Sequence, residues 1–197
     1  MTRRGADYQR KAGDDYPTPA YVTEDLLRWL HNELNIYLCD PCPGPKQAMI
    51  KVFKQRGYCV VYGPKDFITG EFPDQAECDF VTNPPYGNKR GSLAVQFVER
   101  ALDVTKPWQG KVVMLLPFDF DAAKTRRHLF DRKEFAAKIV LPYRVAWFNG
   151  KSGSTIHAWF CWSHRHKGPS VIKYMRLRTR PGQPGRRDTR PDLTPAE

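Results

Sequence analysis

Cys78-Asp79-Phe80-Val81-Thr82-Asn83-Pro84-Pro85-Tyr86-Gly87-Asn88, CDFVTNPPYGN in one-letter code, is the stretch on which the reading of this chain turns. Its first half is a short, mostly apolar run of the kind expected of a strand covered on both faces. It then stops on an asparagine, two prolines and an aromatic. Neither proline carries an amide hydrogen and both hold the chain extended, so the carbonyls of Asn83 and Pro84 are not drawn into a helix. Together with the Asn83 side chain they stand as acceptors beside the ring of Tyr86. Acceptors next to an aromatic face suit a flat group bearing an NH₂, such as an aminopurine or an amide. The plainer alternative is a rigid turn in which Asn83 caps its own backbone and Tyr86 packs in the core.

Outward from this stretch, apolar runs alternate with helical patterns. The runs 36–40, 58–63, 111–117, 136–142, 144–148 and 157–163 read as further strands. Val22, Leu26, Leu27, Leu30 and Leu34 line one helical face, and Leu93, Phe97, Val98, Ala101 and Leu102 another. Weaker helical patterns cover 45–56 and 123–133. The alternation predicts an α/β fold, a sheet with helices on both faces, whose ligands bind at the carboxyl ends of strands. No internal repeat interrupts it.

The chain has 197 residues and 41% hydrophobic content, enough for one sizeable core. With 32 Lys and Arg against 21 Asp and Glu, the formal charge of +11 favours a polyanionic partner such as nucleic acid. No apolar run reaches the ~20 residues of a membrane span, and the N-terminus lacks a signal-peptide core, so a cytoplasmic protein with no membrane contact is expected. Five dispersed cysteines suit reduced thiols. Cys39 and Cys42 form one C-x-x-C, but a structural zinc site needs a second tight ligand pair, and His164 and His166 are spaced too closely to supply it. No metal is expected. Residues 178–197, rich in proline, glycine and charge, read as a disordered basic tail, and 1–13 as a flexible basic N-terminus, flanking one domain over 14–177.

Two strand ends hold the chemistry. The run 36–40 leads into Asp40-Pro41-Cys42-Pro43-Gly44, a carboxylate followed by a glycine that permits close approach of a ligand; the other is Asn83-Pro84-Pro85-Tyr86. Residues 83–86 match the Asn-Pro-Pro-Tyr signature of S-adenosylmethionine-dependent amino methyltransferases. Over most of 14–163 the chain resembles the phage-type, Dam-like DNA adenine methyltransferases. Thr18-Pro19 is similar to their entry segment, Asp40 to Gly44 to their cofactor loop, Asp66-Phe67 to the pair that meets the cofactor's adenine, and Arg144 to Phe148 to their late hairpin. The resemblance implies a Rossmann-like class I methyltransferase sheet and site-specific methylation of a flipped adenine in double-stranded DNA. It further implies a phage or mobile-element setting, with restriction protection, and no obligate protein partner.

On that resemblance, Asn83, Pro84, Pro85 and Tyr86 are catalytic. Thr18, Pro19, Asp40, Cys42, Gly44, Asp66 and Phe67 bind S-adenosyl-L-methionine, and Phe148 and Arg144 meet the substrate. Tyr86 is expected to act through its ring face and not its hydroxyl. The chain departs from the pattern in three places: Lys46 stands where a second glycine is usual, no acidic residue directly follows 58–63, and few residues separate Tyr86 from the next helix. The same motif also serves RNA adenine and protein glutamine methylation, and an inactive nucleic-acid-binding module of this fold is a further alternative.

Overall fold

Val112, Met114 and Leu116 face one side of a sheet while Val113 and Leu115 face the other, and all five are buried. That is why their run is apolar at every position: strand side chains alternate in direction, and here each direction meets a layer of helix. The computed structural model describes residues 17–73, 76–87, 92–148, 151–152 and 155–176. The N-terminal segment 1–13 and the tail 178–197 lie outside the described residues.

The strands are β1 (Tyr37–Cys39), β2 (Cys59–Val61), β3 (Asp79–Thr82), β4 (Lys111–Pro117), β5 (Phe135–Val140), β6 (Ala146–Phe148), β7 (Lys151–Ser152), β8 (His157–Ser163) and β9 (Val171–Tyr174). Seven of them form one sheet in the order β2-β1-β3-β4-β8-β5-β9, with β8 antiparallel to both its neighbours and every other pairing parallel. Without β8 and β9, the order is the doubly wound 2-1-3-4-5, which reverses direction between β1 and β3. The helices α1 (Ala20–Trp29) and α2 (Ala48–Gln55) cover one face through Leu26, Leu27, Val52 and Phe53. The helix α3 (Ser92–Thr105) and the short α4 (Arg127–Phe130) cover the other through Phe97, Val98, Leu102 and Leu129. Each fully buried Phe or Leu in these layers contributes roughly 1.5–3 kcal/mol.

The sequence reading is revised in two places, the helix over 123–133 and the strand β9. The helix over 123–133 shortens to one 3-10 turn, Lys124–Arg126, followed by the single turn of α4, and a further 3-10 turn, Phe120–Ala122, precedes them. Over 123–133 Leu129 is the one fully buried side chain, too little apolar surface to drive a longer helix. The segment 144–148 stands apart from the main sheet and pairs as β6 with β7 in a hairpin, as its resemblance to a late hairpin implied. β9 escaped detection because Val171, Ile172 and Tyr174 are exposed on an edge strand and show no burial pattern. Between β2 and β3 no strand appears among the described residues, so β2 is the opposite edge.

The charged start of β3 has a structural reason. Asp79 is buried, and its two oxygens accept backbone N–H groups from Asn35 at 2.8 Å and Lys111 at 2.7 Å. It pins the amino ends of three neighbouring strands, which aligns their carboxyl ends across the sheet.

Candidate functional site

The carboxyl ends of β1 and β3 open into a cavity of about 750 Å³ at the point where the strand order reverses. This is where an open α/β sheet binds ligands, because the two crossovers leave in opposite directions and part the loops. Thr18, Asp40, Cys42, Gly44, Asp66 and Phe67, all expected at a ligand, line it, as do Asn83 and Pro85. Pro19 instead starts α1, its carbonyl accepting the Val22 N–H at 3.0 Å, and is not among the lining residues.

The loop after β1 is shaped by its prolines and by two left-handed residues, Gly44 at φ +59° and Gln47 at φ +48°, the latter directly before α2. Lys46 lies exposed between them on the cavity wall. Asp40 is 5% exposed. Its Oδ1 accepts from the Thr82 hydroxyl at 2.7 Å and from the Cys42 N–H at 3.2 Å. No lysine or arginine pairs with it among the described residues. Burial therefore dominates and pushes its carboxyl up to about 6, with the Thr82 and Cys42 hydrogen bonds acting in the opposite sense. The Cys42 sulfur lies 2.9 Å from Thr82 Oγ1 and donates to the Asn83 carbonyl at 3.5 Å. Burial first, then the Asp40 charge, raises its thiol well above the usual value, so it stays protonated and serves as a donor. Asp40, Thr82, Cys42 and Asn83 thus form one hydrogen-bonded seam joining the ends of β1 and β3.

Thr18 is 4% exposed, and among the described residues nothing hydrogen-bonds its hydroxyl. Asp66 is exposed and caps its own turn: Oδ1 accepts the Ile68 N–H at 2.9 Å and Oδ2 the Thr69 hydroxyl at 2.7 Å. Those bonds hold its carboxyl below the ordinary range. Phe67, at the cavity wall, is buried against the rings of Phe80 and Phe97.

Beyond β3, Pro84 is buried and Tyr86 half-buried. Gly87, at φ +74°, lets the chain turn back toward α3, and a Cβ there would come within 2.9 Å of Leu93 Cβ. The Tyr86 hydroxyl lies 3.1 Å from Asn83 Oδ1 and 3.2 Å from the Leu115 carbonyl. The hydroxyl, taken from sequence to be idle, thereby fixes the side-chain oxygen of Asn83. One face of the Tyr86 ring stacks on His157, at 6.3 Å between centroids, and His157 meets Trp147 edge-on at 5.1 Å. His157 is buried, which pushes its imidazole down to about 4 and keeps it neutral near pH 7. Neither Trp147 nor His157 was singled out from sequence, since an apolar strand pattern hides residues that pack on a functional ring. Arg144 is exposed in the turn after β5 and lies outside the cavity lining, while the side chain of Phe148 lies outside the described residues. Among the described residues no cluster of three metal-ligating side chains occurs, and no helix is long and apolar enough to cross a membrane.

No protein-family model matches the chain, and no curated protein matches it in sequence. In fold it is similar to the crystal structure of a Listeria monocytogenes protein provisionally classed as a class I S-adenosylmethionine-dependent methyltransferase. The TM-score is 0.57 at 11% identity, over 79% of this chain and 63% of that one. The chain therefore spans under two thirds of that structure, and what the two share is the α/β architecture.

Proposed function

We propose that the chain transfers a methyl group from S-adenosyl-L-methionine to the exocyclic amine of a flipped adenine in DNA. The observation that carries this reading is the hydrogen-bonded seam. It places a buried carboxylate without a cationic partner and an asparagine oxygen held by Tyr86 at the same strand-order reversal, on one cavity.

The residues present fit the cofactor. Asp40 offers its charge to an ammonium, Thr18 an unengaged hydroxyl to a carboxylate, and the turn at Asp66 and Phe67 a wall for an adenine. A volume of about 750 Å³ is of the size that holds a nucleoside-bearing ligand. When bound, S-adenosylmethionine supplies a methyl group already activated by its sulfonium.

The chain's own residues prepare the acceptor. The lone pair of an adenine amine is delocalised into the ring, which makes the nitrogen a poor nucleophile. Asn83 Oδ1 and the Pro84 carbonyl accept its two hydrogens, so the nitrogen pyramidalises and its lone pair points out of the ring plane. A carbonyl oxygen has two lone pairs, and Asn83 Oδ1 uses one for Tyr86, leaving the other for the substrate. The acceptors also stabilise the positive charge that develops on nitrogen. The proton that nitrogen then sheds passes to water, because neither acceptor is a base. Tyr86, half-buried beside Asn83, supplies the aromatic ring for the base, and the formal charge of +11 favours a nucleic-acid acceptor.

The deciding assay offers methyl-labelled cofactor with DNA, RNA and glutamine-bearing protein in parallel. Label is expected in DNA, at N6 of adenine. Label confined to RNA or protein replaces the acceptor, and absence of label together with absence of cofactor binding overturns the reading.

Tyr86 allows a sharper check. Tyr86→Ala is expected to weaken capture of the base by roughly 1–3 kcal/mol. Tyr86→Phe keeps the stacking face but frees the Asn83 amide, so turnover falls by about fivefold with little change in KM, the cost of one ordinary hydrogen bond. Equal kcat for the Tyr86→Phe variant and wild type would show that the hydroxyl does not hold Asn83 during reaction.

A further inference from the structure

Phe118 and Ile156 are large apolar residues left 40% and 41% exposed at the carboxyl end of the sheet. They are joined by a backbone hydrogen bond, Phe118 N–H to the Ile156 carbonyl at 2.8 Å, immediately beyond the Pro117–His157 pair of β4 and β8. His157 is the residue on which Tyr86 stacks, and Leu115, whose carbonyl lies against the Tyr86 hydroxyl, is three residues before Phe118 on β4. At ~3.3 Å per strand residue, Phe118 sits about 10 Å from that carbonyl.

Single exposed apolar residues are ordinary on any surface. What lies beneath Phe118 is not. Lys138, on β5, is only 7% exposed, with its Nζ 4.0 Å from the centroid of the Phe118 ring and 5.3 Å from that of Phe160. Its ammonium donates to both oxygens of Asp121, at 3.0 and 2.8 Å. A buried lysine costs desolvation that its ion pair offsets only in good geometry. Here the paired cation also fixes the ring, covering one face by a cation–π contact. Among the described residues no other ring meets Phe118. Its free surface is thus a rigid aromatic face beside the candidate site. Asp119, exposed next to it, repels phosphate, so the ring offers a place for a base and not for the backbone.

We propose that Phe118, seated on Lys138 and flanked by Ile156, is a nucleobase-stacking platform that grips a base neighbouring the one received by Tyr86. This rests on the reading of the acceptor as nucleic acid. A face held in place before binding loses little conformational freedom when a base stacks on it, and the face is common to DNA and RNA.

The test uses the full chain and single strands of about 12 nucleotides, DNA and RNA, with an abasic DNA strand of equal length, and needs no methyl transfer. Phe118→Ala is expected to weaken binding of both base-bearing strands roughly 5- to 150-fold. The salt dependence stays that of wild type, because no charge is removed, and affinity for the abasic strand is unchanged. Phe118→Trp is expected to keep wild-type affinity, and the emission it adds over the wild-type chain is quenched by base-bearing strands alone. Wild-type affinity in Phe118→Ala, or an equal loss on the abasic strand, overturns the platform while leaving the nucleic-acid reading intact. A wild-type chain that binds none of the strands overturns both.

Discussion

Asn83→Ala is expected to lower methyl transfer by about 100-fold or more while the dissociation constant of S-adenosylmethionine stays nearly unchanged. The two effects separate because Asn83 Oδ1 acts on the substrate amine, whereas the binding charge of the cavity belongs to Asp40. Alanine also leaves the fold in place: Tyr86 keeps the Leu115 carbonyl as a partner, and Cys42 keeps the backbone carbonyl of residue 83, which the substitution does not touch. Single-turnover rates with saturating cofactor, set beside calorimetric binding, read both quantities in one preparation. Near wild-type turnover would sink the assignment of this oxygen, and a parallel loss of cofactor binding would mean that the seam had collapsed.

The second large effect belongs to Asp40. Its carboxyl, pushed up to about 6, is raised above its unfolded value, so the folded protein takes up a proton between about pH 4 and 6. Folded-state stability accordingly falls as pH rises through that window, by up to about 3 kcal/mol in the ligand-free protein. An ammonium placed beside the carboxylate restores the ionised form. Cofactor affinity is therefore expected to be level above pH 6 and to fall toward tenfold per pH unit below it, with a proton released on binding. Asp40→Asn keeps the shape, removes the charge, and should raise the dissociation constant by about 30-fold or more at pH 7. It should also abolish the pH dependence below 6. A variant that binds weakly yet retains the slope would place the titrating group elsewhere.

Much of this architecture could be seen in the chain before its fold. β4 and β8 are apolar between their terminal residues because both their faces are covered, and α1 and α3 show their buried stripes at helical spacing. Asp40 and Asn83 stood out because polar groups directly after buried strands have few structural reasons to be there. What stayed hidden depends on contacts between distant residues. The Tyr86 hydroxyl reaches a carbonyl 29 positions away, and the Lys138 ammonium finds an acid 17 positions before it. Neither distance has a period. The burial of Asp40 was equally invisible, since a carboxylate's exposure is set by the loops that close over it. β9 went unseen because an exposed edge strand has no apolar alternation to show.

The place of β8 has a consequence for synthesis. It lies between β4 and β5, yet both leave the ribosome before it. Until residues 157–163 emerge, β4 and β5 have no partner to join them, and the nascent chain carries one open edge on β4, two on β5, and half-covered aromatic layers. Such edges are templates for pairing with other chains. The sheet can close only when nearly the whole domain is outside the exit tunnel, in a step that draws together segments some 45 residues apart. Long-range pairing of this kind is slow. Any truncation before His157 is then expected to yield aggregate rather than a smaller folded domain.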